Sequence, residues 1–137
     1  MSEAKTFNFE LVSPEAKLMS EQAWQVMIPG EEGYMGVRAN HAATVATIKP
    51  GVVEIWKTEG DNPEKIFIAG GFADITADNL TVLAEEAENL ADLSAADLDK
   101  QIQNLNDEMG VVQDDLAKSK IEQQITFAEI KKAALAA

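Results

Sequence analysis

Few residues in this sequence have side chains that could carry out chemistry. His41 is the only histidine, and a catalytic base would need a nucleophile and an orienting carboxylate that nothing nearby supplies. We therefore predict that His41 is a surface or interface residue. The chain has no cysteine, which excludes disulfides, thiolate metal sites and cysteine nucleophiles. No catalytic residue is predicted.

Two other patterns suggest ligand binding and are explained more simply. Glu85, Glu86 and Glu88 could bind a hard cation, but their spacing matches no calcium loop, and a solvated acidic edge is the better interpretation. Gly70 and Gly71 lack the Gly-Lys-Ser/Thr ending of a phosphate loop and are predicted to form a turn or bulge. The sequence therefore predicts no metal site.

The charge balance limits the possible partners. The 137 residues include 11 basic and 24 acidic ones, for a net charge of −13. Such a field repels nucleic acid and anionic lipid, so we expect no nucleic-acid binding and no direct membrane docking. No apolar run approaches the ~18 residues needed to span a bilayer. The opening MSEAK has no signal or transit character, which predicts a soluble intracellular protein.

Residues 1–88 are predicted to form short strands. Phe7 and Phe9 alternate with polar neighbours, as in a half-buried strand. Further apolar stretches follow at 24–28, 35–38, 43–48, 52–57, 65–69, 72–76 and 80–84. All four prolines and seven of the eight glycines lie between or within these stretches, so we predict eight to ten strands in an all-β flattened sandwich or barrel. Trp24 and Trp56 are predicted to lie in its core.

Residues 89–137 are predicted to form an antiparallel α-helical hairpin. Ser94 is a good N-cap, and Gly110 is a helix-stop signal between the two helices. Apolar side chains recur at helical spacing at Leu98, Ile102, Leu105 and Met109, and then at Ala117, Ile121, Ile125, Ala128 and Leu135. They are too few to hold the hairpin together alone. We therefore expect it to pack on another surface, and to be able to exchange one surface for another.

Five ordered blocks carry a family resemblance. They are FELVSPE at 9–15, IPGEEGYMGV at 28–37 followed by HA at 41–42, IKPGVVEI at 48–55, AGGFADI at 69–75 and LTVLAE at 80–85. Together they resemble the epsilon subunit of bacterial F-type ATP synthases, whose mitochondrial homologue is called delta. The blocks follow the family's order, and the predicted hairpin follows them as it does in the family.

The resemblance implies a fold and a function. Residues 1–88 would form a flattened ten-stranded sandwich that contacts the gamma subunit and the c-subunit ring, and residues 89–137 the two-helix hairpin. The chain would be a non-catalytic rotor subunit of the central stalk, coupling proton-driven rotation of the c ring to ATP synthesis. It would lie on the cytoplasmic side of a bacterial inner membrane and touch that membrane only through the c ring.

The resemblance also implies two sets of contact residues. The c-ring contact would comprise Glu31, Glu32, Gly33, Tyr34, Arg38 and His41. Tyr34 stands where relatives have an acidic residue, so a phenol replaces a charge. In inhibiting relatives, basic residues of the hairpin approach an acidic segment of the beta subunit and block ATP hydrolysis. The matching residues here are Lys118, Lys120, Lys131 and Lys132. From the residues alone, these lysines are predicted to form a solvated helix face.

Some bacterial relatives bind ATP through the motif Ile/Leu-Asp-x-x-Arg-Ala. This chain has Leu98 and Asp99 at the first two positions, but Ile102 replaces the arginine and Gln103 the alanine. An isoleucine cannot pair with a phosphate. We therefore expect weak or no ATP binding and no cofactor.

One alternative function stays open. The chain could be an acidic β-sandwich protein-binding module with a helical oligomerisation arm, which would self-associate and form no complex with gamma. The hairpin could contact the alpha and beta subunits and restrain ATP hydrolysis, or it could be only structural. The sequence does not choose between these roles.

Overall fold

The protein divides into two compact units. A computed structural model describes residues 5–136; one unit ends at Asn89 and the other begins at Leu90, one residue after the predicted boundary. The described part of the first unit contains ten strands, and that of the second contains a short 3₁₀ helix and two α-helices. Within residues 5–136, no helix is long and apolar enough to cross a membrane.

The strands are short and follow one another closely. They are β1 (Phe7–Val12), β2 (Lys17–Ala23), β3 (Gln25–Gly30), β4 (Gly33–Arg38), β5 (Thr44–Ile48), β6 (Gly51–Trp56), β7 (Glu64–Ile68), β8 (Gly71–Ile75), β9 (Asn79–Ala84) and β10 (Ala87–Asn89). The 3₁₀ helix spans Leu90–Asp92, and the helices are α1 (Ala95–Val111) and α2 (Asp115–Ala136). The predicted fold class, an all-β domain followed by a helical hairpin, is confirmed.

All ten strands join one curled sheet. Its order is β10-β7-β6-β3-β5-β8-β9-β1-β2, with β4 paired to β3. Every pairing is antiparallel except that of β1 with β9, in which Asn8 lies beside Asn79 and Val12 beside Leu83. The parallel pairing brings the first strand next to the last long strand.

The inner face of the sheet forms a continuous apolar core. Phe7, Phe9 and Leu11 are buried while their neighbours on β1 are not, as the period-two alternation predicts. Other strands contribute Ala23, Val26, Ile28, Val37, Ile48, Val53, Ile55, Ile66, Ile68, Ala73, Ile75, Leu80, Val82 and Ala84. Burial of these side chains is the main stabilising contribution to this unit.

Strands β2 and β10 were not among the predicted stretches. The sequence of β2, KLMSEQA, is mostly polar because this strand lies at a sheet edge and buries only Ala23. Strand β10 has three residues, too few to show a pattern. The prediction that Trp24 and Trp56 lie in the core is wrong, because both are only half-buried.

An ion-pair network lies on the sheet near the end of β6. The Lys57 ammonium is 3.3 Å from a Glu21 carboxylate oxygen and 3.2 Å from one of Glu64. The hydrogen bond to Glu64, followed by that to Glu21, raises the pKa of Lys57 above its usual value. Since β2 and β7 are not paired with each other, the lysine links strands that the sheet hydrogen bonds leave separate.

The helices begin as predicted, but the first ends differently. The Asp97 backbone N–H donates to the Ser94 hydroxyl at 3.1 Å, which confirms the N-cap. The predicted stop at Gly110 is wrong, because Gly110 keeps helical backbone. The helix ends instead at Val111. The next residue, Val112, has extended backbone (φ −78°, ψ 134°), and its N–H donates to the Glu108 carbonyl oxygen at 3.1 Å.

A three-residue connection, 112–114, joins the helices into a hairpin. Leu98 and Leu105 of α1 and Ile121 and Ala128 of α2 are buried, all four from the predicted apolar stripes. The other stripe residues are half-buried.

Candidate docking surfaces

The first candidate surface surrounds the β3–β4 turn. Glu31 and Glu32 are exposed at its tip, and Gly33 has a φ of 126°, a backbone conformation that favours glycine. The turn borders an open groove of about 510 Å³ whose lining residues are Gly30, Glu31, Glu32, Gly33, Tyr34, Met35, Val45, Ala46 and Thr47. Tyr34 is 57% exposed and Val45 is 74% exposed. The groove therefore combines apolar area with two carboxylates.

The start of β6 lies close to the β3–β4 hairpin beside Tyr34. Tyr34 pairs with Pro29 across the β3–β4 hairpin. A Cβ atom added to Gly51 would lie 3.0 Å from two Pro29 ring carbons and 3.5 Å from the Tyr34 hydroxyl oxygen. The absence of a side chain at Gly51 lets the hairpin pack closely on the start of β6.

The predicted c-ring contact residues do not form one cluster. Four of them, from Glu31 to Tyr34, lie at the turn, whereas Arg38 ends β4, about 13 Å from Tyr34 at the rise of a β-strand. His41 follows Arg38, and its Nδ1 donates to the Ala42 carbonyl oxygen at 2.7 Å. The set is therefore divided between the two ends of β4.

A row of side chains on the outer face of the sheet forms the second candidate surface. Phe72 of β8 lies directly opposite Leu83 of β9, and the two side chains are 55% and 44% exposed. Thr47 of β5 pairs with Phe72, and Val12 of β1 pairs with Leu83. We call these four residues the outer row. Because Thr47 also lines the groove, the two surfaces are continuous.

The next row on the same face is more polar. Val45 pairs with Asp74, Asp74 with Thr81, and Thr81 with Glu10. The outer row is thus an apolar strip bordered by carboxylates, as is common at protein–protein interfaces with an apolar centre and a polar rim. Among residues 5–136, no group of histidine, cysteine or acidic side chains is arranged to hold a metal ion.

Comparisons with known proteins identify the family. A family model described as "ATP synthase, Delta/Epsilon chain, beta-sandwich domain" matches residues 6–90. The chain belongs to this family. The ATP synthase epsilon chain of Mesorhizobium japonicum is 48% identical over 129 residues, covering 92% of this chain and 95% of the relative. That of Chelativorans sp. is 45% identical over the same shares of both chains.

Solved structures agree with the family assignment. One match is a chain in the structure of the OSCP, F1 and c-ring part of the Euglena gracilis mitochondrial ATP synthase. It has a TM-score of 0.80 and 25% identity, and the match covers 95% of this chain and 81% of that one. A chain of the Tetrahymena thermophila central stalk and c-ring has a TM-score of 0.62, 13% identity and coverage of 97% and 98%. The second match shows the fold alone.

Membership of the epsilon family confirms three predictions. The family resemblance is correct, the chain is a central-stalk subunit of the F-type ATP synthase, and it is non-catalytic. The complex as a whole is membrane-associated, and its F1 portion is peripheral.

The four hairpin lysines of this epsilon-family chain do not share one solvated face, so that prediction is wrong. At 100° per residue, Lys118 and Lys132 lie within about 40° of each other, and Lys120 and Lys131 point to nearly the opposite side. Lys131 is buried, with 7% exposure, and the Lys132 ammonium pairs with the Asp99 carboxylate. Lys118 is half-buried, and Lys120 is exposed.

The residues of the degenerate ATP motif make contacts within the hairpin. Leu98 is buried, Asp99 pairs with Lys132, and Ile102 is half-buried as part of the apolar stripe. The residues of the motif therefore contribute to packing and to an interhelical ion pair.

Val45, Phe72 and Leu83 were not predicted to be surface residues. A signal was present for Phe72. In GFADI, Ala73 and Ile75 occupy the buried phase of the alternation, so Phe72 must point outward. An apolar aromatic residue in the exposed phase of a strand is a sign of an interface.

Proposed function

We propose that this subunit couples c-ring rotation to the catalytic core by docking through the two joined surfaces of its sandwich. The groove would meet the c ring, and the outer row would meet the gamma subunit. The observation that carries the proposal is the continuity of the exposed side chains from Tyr34 and Val45, through Thr47, to Phe72 and Leu83.

The groove has the chemistry expected of a contact with a polar loop. Glu31 and Glu32 offer carboxylates that attract basic side chains, and the Tyr34 hydroxyl can donate or accept a hydrogen bond. Val45 adds apolar area beside them, 74% exposed. The family resemblance assigns the c-ring contact to this turn.

The outer row has the composition of an interface core. Phe72 and Leu83 together present a cross-strand apolar pair, and aromatic anchors of this kind contribute a large share of binding free energy when a partner buries them. Such a strip supports docking of a protein rather than of a charged ligand. Gamma is the neighbour that the family resemblance assigns to the sandwich.

The gamma contact is tested by size exclusion with purified gamma. The double variant Phe72→Glu with Leu83→Glu places two charges in the outer row, and we expect it to weaken the complex at least tenfold. Leu18→Glu is the matched control, because Leu18 is 49% exposed but borders a different cavity, lined also by Met19 and Ala87. Binding of the double variant equal to that of the control would refute the contact.

The c-ring contact is tested in the assembled complex. We expect Glu31→Gln with Glu32→Gln and Tyr34→Ala to reduce attachment of the F1 portion to the c ring and to lower proton-driven ATP synthesis. Glu59→Gln is the control, because Glu59 is an exposed carboxylate on the β6–β7 connection. Unchanged attachment of the triple variant would contradict the proposal, and retained gamma binding would show that the two contacts are separate.

The hairpin is proposed to restrain ATP hydrolysis through the alpha and beta subunits. Lys120 is exposed and available to an acidic partner surface, whereas Lys132 must first leave Asp99. Removing residues 94–137 should then raise the rate of ATP hydrolysis by the assembled complex. An unchanged rate in a complex that still contains the truncated subunit would leave the hairpin a structural role only.

The chain is proposed to need no cofactor and to bind ATP weakly or not at all. Ile102 cannot pair with a phosphate, and Asp99 already has a cationic partner. Equilibrium titration of the full chain with labelled ATP should show no binding below the millimolar range. Saturable sub-millimolar binding would contradict this expectation.

The site of action is proposed to be the cytoplasmic face of a bacterial inner membrane. The relatives named above are bacterial epsilon chains. The net charge of −13 disfavours adhesion of the surface as a whole to anionic lipid, so attachment to the membrane would be made mainly through the c ring. Fractionation of cells should recover most of the chain with membranes only while the c ring is present.

A further inference from the structure

A cationic recess lies at the end of β4 that is remote from the groove. It has a volume of about 270 Å³ and is lined by Lys5, Arg38, Ala39 and Asn40. Lys17 and Lys57 of the same unit form ion pairs, whereas Lys5, Arg38, Lys49 and Lys65 have no carboxylate partner within residues 5–136. Of these four, Lys5 and Arg38 line the same cavity, so two cations without a partner among the described residues lie together.

The guanidinium of Arg38 is held in a defined position. Its central carbon lies over the Trp24 ring, 4.2 Å from the ring centroid, in a cation–π contact. A guanidinium has five N–H donors, and a contact with a ring uses none of its hydrogen-bonding capacity for an anion. Because the side chain is already ordered, it loses less conformational entropy on binding than a mobile lysine would.

The backbone beside Arg38 is also fixed. Asn40 has a φ of 67°, and its N–H donates to the Ala77 carbonyl oxygen at 2.8 Å. The His41 N–H donates to the Arg38 carbonyl oxygen at 3.3 Å. The first bond ties Asn40 to the β8–β9 turn and the second closes the turn after Arg38. Asp78, the acidic residue of the β8–β9 turn, does not line the cavity.

The net charge of the chain does not cancel this local field. At physiological ionic strength, charges on the surface are screened over about 8 Å, so distant carboxylates contribute little. An arginine fork next to a lysine ammonium matches a tetrahedral oxyanion, because the fork binds two oxygens and the lysine acts as a point charge on a third. The volume suits a small anion with a few waters, below the size of drug-like pockets.

We propose that this recess binds a phosphate group, either free inorganic phosphate or the phosphate of a lipid headgroup. The site is distinct from the groove, the outer row and the hairpin, and it gives Arg38 a role other than the c-ring contact. It binds a single phosphate locally and does not require a broad basic surface.

The first test is titration of the full-length chain with inorganic phosphate, followed by amide chemical shifts. We expect saturable shifts at residues 38–41. Arg38→Met should weaken phosphate binding at least tenfold and Lys5→Met about threefold. Lys49→Met removes the same charge from an exposed lysine in the β5–β6 turn and should leave binding unchanged. Absence of saturable shifts, or equal weakening by Lys49→Met, would overturn a free-phosphate site.

The second test uses vesicles to separate the two sources of phosphate. The chain is sedimented with vesicles of phosphatidylglycerol and, separately, of phosphatidylcholine, for wild type, Arg38→Met and Lys49→Met. Vesicle binding that is lost only in Arg38→Met supports a lipid headgroup, and phosphate binding without vesicle binding supports free phosphate. If neither probe binds in an Arg38-dependent way, the proposal is wrong.

Discussion

The sandwich and the hairpin are stabilised in different ways. In the sandwich, nine strands contribute side chains to one core, and some pairings, such as that of β1 with β9, join residues distant in sequence. In the hairpin, four stripe residues are buried and every helical hydrogen bond is local. A substitution in the sandwich therefore disturbs a cooperative unit, whereas one in the hairpin disturbs only the narrow apolar contact between its two helices.

The largest effect is expected at Gly71 of the sandwich. An added Cβ would lie 1.9 Å from the Leu83 carbonyl oxygen, and the φ of 154° is one that side chains rarely adopt. We expect Gly71→Ala to lower the free energy of unfolding by about 3–5 kcal/mol, measured by chemical denaturation. Gly60→Ala is the control, because its φ of 80° is also unfavourable but no atom lies within 4 Å, and it should cost ~1 kcal/mol. Equal costs would show that backbone conformation, not the clash, sets the effect.

A smaller effect is expected in the apolar contact between α1 and α2. Leu105 is 7% exposed, and Leu105→Ala should lower the free energy of unfolding of the helical unit by about 2–3 kcal/mol. Leu116 is 64% exposed, so Leu116→Ala should change it by under ~0.5 kcal/mol. Both are measured as thermal loss of the helical circular-dichroism signal. Equal thermal stability of the two variants would mean that burial of Leu105 contributes no net stability.

The cap of α1 should have an effect of about 1 kcal/mol. Ser94→Ala removes the hydroxyl that accepts the Asp97 N–H, and the helix should become less stable by that amount. Ser119→Ala, at an exposed position inside α2, should instead be neutral or slightly stabilising, because alanine has the higher helix propensity. Helical content at increasing temperature compares the two, and a stabilised Ser94→Ala variant would contradict the capping role.

The smallest effect is expected from the ion pair between the helices. Asp99 and Lys132 are 55% and 47% exposed, so solvent screens their attraction. A double-mutant cycle with Asp99→Asn and Lys132→Gln should give a coupling of about 0.5 kcal/mol that decreases with added salt. A coupling that is unchanged in high salt would show that a contact other than charge joins these residues.

Much of the fold could be predicted from the sequence because burial leaves a periodic pattern. The alternation around Phe7 and Phe9 gives β1, and Ser94 marks the start of α1. Strand β2 leaves no such pattern, because an edge strand is fixed by its pairing with β1 and not by its own apolar residues. The end of α1 was missed because Gly110 tolerates helical backbone as readily as a turn.

The candidate surfaces were only partly predictable, for a geometric reason. The family blocks pointed to the turn at Glu31 and Glu32, which is exposed in the structure. Neighbours across strands are set by register, so the pairing of Phe72 with Leu83 cannot be found without knowing which strands are adjacent. Similarly, the distance from Tyr34 to Arg38 becomes clear only once β4 is known to be fully extended.

The parallel pairing of β1 with β9 has a consequence for biosynthesis. The Asn8 side-chain amide donates to the Asn79 side-chain oxygen across 71 positions of chain. At ~5–20 residues translated per second, the partner of the first strand is made roughly 4–14 s after it. During that interval, a nascent chain exposes an unpaired strand edge that a chaperone can cover, and the sheet closes only after β9 has been made.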